Sequence, residues 1–111
     1  MEYKRKLNGS EKKLLDFLMD KASFEFLKRS KDDIMVQPMS DGGMGSLKLL
    51  LKDSNNNSRL FGKRVSECFF TDEDGVKVIA SLNVDSDGHL FELDIWKTDF
   101  SPLLRIPAEF E

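Results

Sequence analysis

Two neighbouring segments constrain this chain most. Val76, Val78, Ala80, Leu82 and Val84 alternate with Lys77, Ile79, Ser81 and Asn83, and a second alternation runs from Phe91 to Lys97. A period of two marks strands with one buried face, because successive side chains point to opposite sides of the pleat. Asp85-Ser86-Asp87-Gly88 separates them, and Asp-Gly suits a hairpin that needs positive φ. Upstream, Asp72-Glu73-Asp74-Gly75 forms a second turn signal, and Val65–Thr71 a third strand candidate. Three strands joined by two short turns predict an antiparallel meander. Phe91, Leu93 and Ile95 are expected to face the core, with Glu92, Asp94 and Trp96 on the opposite side.

The first half of the chain opens with a helix. Ser10 can cap its free amides, and Glu11 suits the positive end of the helix dipole. Leu14, Leu15, Leu18 and Ala22 then recur at helical spacing, with Phe17 at the border of the buried face. Lys12, Lys13, Asp16, Asp20 and Lys21 are expected to face water, and the helix to end near Ala22. Phe24, Phe26 and Leu27 fit either a short second helix or an extended path, and Lys28–Asp33 a polar connection. Ile34–Gln37 reads as a strand that Pro38 ends or places at an edge. A glycine-dense turn over residues 39–46 leads to a less regular strand, Leu47–Lys52. Asp53–Ser58 is rich in asparagine and reads as a mobile loop. Pro102 and Pro107 bound a tail expected to pack Leu103, Leu104 and Ile106 on the core. The predicted class is α+β: an N-terminal helix on an antiparallel sheet of about five strands, ending in the meander.

Size and composition narrow the function. A chain of 111 residues, 40% hydrophobic and 33% charged, fits one globular domain over residues 1–111. Nine phenylalanines against one Tyr and one Trp suggest a core built on Phe. The net charge of −3 argues against nucleic acid as a partner. Lys4-Arg5-Lys6, extended by Lys12-Lys13, is the strongest basic stretch and fits a solvated helix start. Cys68 is the single cysteine, so no intrachain disulfide is expected, in keeping with a reducing, cytoplasmic setting. No apolar run nears the roughly 18 residues that span a bilayer, so no membrane association is expected.

Two segments are candidates for a binding site. Asp41, Gly42, Gly43, Met44 and Gly45, followed by Ser46, form a loop whose amides can approach a ligand. The loop lacks the lysine and the strand-to-helix setting of a phosphate loop, and a structural turn explains the same glycines. Glu92, Asp94 and Trp96 share one strand face. Two carboxylates at that spacing lie roughly 7 Å apart, compatible with acid–base work on a glycoside and equally with a solvated face. Trp beside carboxylates also suits an interface anchor. Asn83-Val84-Asp85-Ser86-Asp87-Gly88 mimics part of a calcium loop, but it joins two strands rather than two helices, so a hairpin turn is expected. Cys68 and His89 are too few for a Cys/His metal site, and Cys68 sits in an apolar strand that favours an inert thiol. No metal and no cofactor is expected.

The strings Asp41–Ser46 and Glu92–Leu103, with the turns Asp72–Val76 and Val84–Gly88 between them, resemble an uncharacterised bacterial domain family. That resemblance spans the chain from the first helix to Pro107. It implies a stand-alone bacterial cytoplasmic domain and no particular chemistry. The expectation favoured by charge and motifs is a non-catalytic protein-binding module, such as a neutralising protein of the immunity type. The rival is a small enzyme or ligand-binding domain with Asp41, Glu92 and Asp94 around the glycine loop. Self-association through a strand edge, giving a homo-oligomer, is a third expectation.

Overall fold

The computed structural model describes residues 4–22, 34–51 and 55–111. In chain order it contains β1 (Arg5–Lys6), α1 (Gly9–Lys21), β2 (Met35–Pro38), β3 (Leu47–Leu50), a 3-10 turn (Asn56–Ser58), β4 (Phe61–Thr71), β5 (Lys77–Asp85) and β6 (Leu90–Lys97). The six strands form one antiparallel sheet in the order β1-β2-β3-β6-β5-β4. The α+β class and the C-terminal meander stand as expected, with one strand more than about five. The readings of Phe24–Leu27 and Lys28–Asp33 fall outside the described residues.

The additional strand is β1, made from the basic stretch assigned above to a solvated helix start. Arg5 pairs with Val36 in the ladder. Its guanidinium forks onto both carboxylate oxygens of Glu11, at 2.7 Å each. The helix cap is also not Ser10. Asn8 Oδ1 accepts the Glu11 amide at 2.8 Å, and Glu11 Oε1 accepts the Asn8 amide at 3.0 Å. This reciprocal capping box satisfies two free donors at once. Glu11 therefore serves cap and strand together, which explains how a carboxylate comes to be buried.

Leu14, Leu15 and Leu18 of α1 press on the inner face of the sheet, against a cluster that includes Val36, Leu47, Val78, Leu82 and Leu93. Ala22 is not part of that face; it caps the helix C-terminus in extended backbone. The core is aliphatic rather than phenylalanine-based. Among the described phenylalanines only Phe70 is buried, while Phe61 and Phe100 are exposed. Phe17 and Phe110 seal the border, their rings 5.3 Å apart.

One expectation about β6 is overturned. Val84 faces Leu90 and Asn83 faces Glu92, so Phe91 is an extra residue in a β-bulge. An inserted residue shifts the pleat, and Leu90 takes the core position in place of Phe91. Leu93 and Ile95 keep theirs.

The tail is fastened by buried charge. Lys97 is fully buried, its ammonium 2.9 Å from Asp72, 2.6 Å from Asp74 and 3.1 Å from the carbonyl of Pro102. Asp72 in turn accepts the amides of Leu104 and Arg105, at 2.9 and 3.0 Å. Leu103 and Ile106 pack on the core as expected, but Leu104 points outward and is 58% exposed. Finally, Glu111 exchanges two backbone hydrogen bonds with Phe69, at 2.7 and 2.8 Å, covering part of the β4 edge.

Candidate functional site

The helix covers the inner face of the sheet, so the outer face is where a site can form. Cross-strand register arranges that face in rows. Phe69, Ile79 and Trp96 stand side by side across β4, β5 and β6, forming an apolar row. Glu67, Ser81 and Asp94 make the next row. Asn83, Glu92, Lys48 and Gln37 make a third, reaching across β3 to β2. Glu92, Asp94 and Trp96 thus share one face, as expected, but each belongs to a different row.

Trp96 is 42% exposed and packs on Phe100, with ring centroids 6.0 Å apart. Phe100 is 68% exposed and has φ of +64°, and it is the one described non-glycine residue at positive φ. A bulky side chain is an outlier there. The turn that holds it is well bonded: the Phe100 amide donates to Lys97 at 2.8 Å, and Ser101 donates to Asp99 Oδ1 from its amide and its hydroxyl, at 3.0 and 2.6 Å. Those two bonds hold the Asp99 carboxyl below the usual carboxylate range. Lys97, at the end of the same strand, does not share this face but is buried beneath it.

The glycine loop reaches this strand through Ser46. Asp41 accepts the amides of Met44 and Ser46, at 3.1 and 2.9 Å, so its carboxylate is engaged in closing the turn. Gly42, Gly43 and Gly45 all have positive φ. The Gly43 carbonyl accepts the Leu103 amide at 2.9 Å, and Leu103 and Pro102 lie close against Gly45 and Gly43. Met44 is half-buried. Ser46 is the true link to β6: its hydroxyl accepts the Ile95 amide at 2.8 Å and lies 3.1 Å from Asp94 Oδ1. Serine beside a glycine loop carried no signal that would have singled it out.

At the other end of the face lies a groove of about 350 Å³, lined by Lys4, Gln37, Lys48, Asn57, Phe91 and Glu92 among others. Its wall is organised by Arg59, which sequence reasoning missed. Arg59 donates to Asp85 Oδ2 at 2.9 Å, to the Leu49 carbonyl at 2.7 Å, to Asn56 Oδ1 at 3.1 Å and to the Leu90 carbonyl. It also lies over the Phe91 ring, 5.1 Å from its centroid. Asn56 exchanges hydrogen bonds with the backbone of Leu51, so the described end of the asparagine-rich stretch is tied to β3. Asp85 Oδ1 accepts the amides of Asp87 and His89, both at 2.9 Å. Burial opposes its ionisation, but these bonds and Arg59 outweigh it and lower the Asp85 pKa.

That bonding forms the hairpin turn expected at the calcium-like string. Asp85, Asp87 and His89 offer ligand atoms within 4.8 Å of one another. Asp85, however, is occupied by the hairpin amides and Arg59, which is the work of a turn organiser. His89 is half-buried. Cys68 is buried, and burial pushes its thiol up to about 11, so it stays protonated at neutral pH.

The family pattern of DUF6984, a domain of unknown function, matches residues 4–107. The chain belongs to this family. No curated protein and no solved structure matches it. In this DUF6984 domain the resembling strings Asp41–Ser46 and Glu92–Leu103 meet in space, since the glycine loop is bonded to Ile95 and Leu103. No helix among the described residues is long and apolar enough to cross a membrane.

Proposed function

We propose that this DUF6984 domain is a non-catalytic protein-binding module that docks through Trp96 and Phe100 on the outer face of its sheet. The observation that carries this is Phe100, held in solvent at positive φ. Left-handed backbone costs a bulky residue about 1–2 kcal/mol, and packing of the exposed ring on Trp96 offsets only part of it. Such a conformation is characteristic of functional surfaces. Large aromatics are the usual anchors of interfaces, and here the apolar row of Ile79 and Phe69 extends from Trp96.

The partner presents a basic surface around an apolar pocket. Asp94 lies two residues from Trp96 on the same strand face and Asp99 precedes Phe100, while Glu67, farther along the Asp94 row, pairs with Arg64 at 3.0 Å; the chain carries a net charge of −3. A bacterial cytoplasmic neutralising protein that covers a basic active site fits this description. The glycine-loop enzyme fits less well, because the Asp41 carboxylate is engaged by Met44 and Ser46.

The test is crosslinked capture from native lysate with wild-type protein and with Trp96→Ala. A partner retained by the wild type and lost from the folded variant supports docking at this face. Equal recovery by both proteins sinks it. A second copy of the chain as partner is read by light scattering, where a wild-type dimer dissociated by Trp96→Ala would replace the basic partner with self-association.

A further inference from the structure

The groove beside Arg59 lies apart from the aromatic pair and has its own charge pattern. Lys48 and Glu92 are directly opposite in the β3–β6 register. Opposite charges so placed normally attract across strands, yet no ion pair joins these two. The Glu92 side chain takes part in one hydrogen bond, 3.5 Å long, from Asn83 Nδ2 to Oε1. An ammonium and a carboxylate therefore stand adjacent and open to the same groove.

The surrounding wall is already bonded. Arg59 is neutralised by Asp85 and fixed to two carbonyls, while Asn56 is fixed to Leu51. What remains to meet a ligand is Lys4, Lys48 and Glu92, with the side-chain amides of Gln37 and Asn57. Their formal sum is one positive charge, from two lysines and one glutamate, in a chain whose total is −3. A volume of about 350 Å³ suits a small metabolite rather than a polymer.

The geometry points to a binding site for a small zwitterion of the α-amino-acid class, with an acidic side chain preferred. Its carboxylate meets Lys48, its ammonium meets Glu92, and a second carboxylate meets Lys4. One net negative charge on the ligand then balances the groove. A plain anion gains the lysines but faces the Glu92 carboxylate, so the pair selects for a ligand carrying both signs.

Amide NMR of the full chain tests this with L-glutamate, inorganic phosphate and citrate at constant ionic strength. L-glutamate is expected to shift the amides of Gln37, Lys48, Asn57 and Glu92 with a Kd of about 1 mM or tighter. Lys48→Gln and Glu92→Gln should each weaken it about tenfold, since each removes one charged hydrogen bond, while leaving the melting temperature unchanged. Trp96→Ala should leave binding unaltered, which separates this site from the docking face. Absence of L-glutamate shifts overturns the proposal. So does phosphate or citrate binding as tightly, or Glu92→Gln leaving L-glutamate affinity intact.

Discussion

At Phe100 one backbone angle and one side chain have opposing effects on the free energy. The left-handed conformation disfavours any residue with a Cβ, and glycine escapes that cost. Packing on Trp96 offsets part of it, since an aromatic pair contributes about 0.5–1.5 kcal/mol beyond its burial. Phe100→Gly removes both terms. The expected result in urea denaturation is a stability within about 1 kcal/mol of the wild type, although a large apolar side chain is lost. Partner capture should nevertheless fail. A loss of more than about 3 kcal/mol, the scale of a buried Phe truncation, would show that Phe100 is a core residue rather than an exposed anchor.

At the scale of elements, the tail and the hairpin turns are held by carboxylates that must stay ionised. Burial opposes ionisation of Asp72, but hydrogen bonds from Leu104, Lys97, Glu73 and Arg105 outweigh it, so its folded pKa lies below the ordinary aspartate value of 3.8. Asp85 and Glu11 are lowered in the same direction, each against its own burial. A depressed folded pKa gives stability that is present above the unfolded pKa and is lost as pH falls through the folded value. Lys97 has the opposite sign: burial lowers its pKa, the bonds to Asp74 and Asp72 outweigh that, and its contribution is lost only as pH rises beyond 10.5. Denaturation midpoints should therefore drop below about pH 4. Asp72→Asn should lie below the wild type at about pH 7 and by less near pH 2.5, below the unfolded pKa, where the unfolded chain is protonated and the ionised latch contributes less. A deficit of equal size at both pH values would refute the ionised latch. None of these bonds was legible in the sequence. The meander was, because alternation is local, and so was the inner face of α1. The burial of Lys97 was not visible because its two carboxylates come from a turn more than 20 residues away. The early start of β4 was hidden at Gly62, where the strand bulges and the Asp85 carbonyl approaches so closely that a Cβ would sit 2.3 Å from it. Phe91 was misplaced for a related reason: a single bulged residue changes the face of its neighbour, and composition gives no sign of it.

Across the whole molecule, the outer face separates two kinds of chemistry along one strand. Its Trp96 end is aromatic, with Asp94 and Asp99 beside the indole and Lys77 over the Phe69 ring at the far end of the row, while its Glu92 end opens to lysines and amides. Trp96 is the only tryptophan in the chain and is partly exposed, so its fluorescence reports the acidic end without labelling. Asp94 and Asp99 concentrate cations and repel anions around the indole over roughly a Debye length, about 10 Å at 0.1 M salt. Caesium should therefore quench Trp96 more strongly than its intrinsic efficiency relative to iodide predicts, with free indole as the reference. Asp99→Asn should reduce that bias, and salt near 1 M, where the screening length falls to about 3 Å, should nearly remove it. Equal normalised quenching by the two ions at low salt would mean that the face carries no negative potential. The basic partner would then lose its electrostatic basis, whereas the groove at the Glu92 end, whose charges are its own, would be untouched.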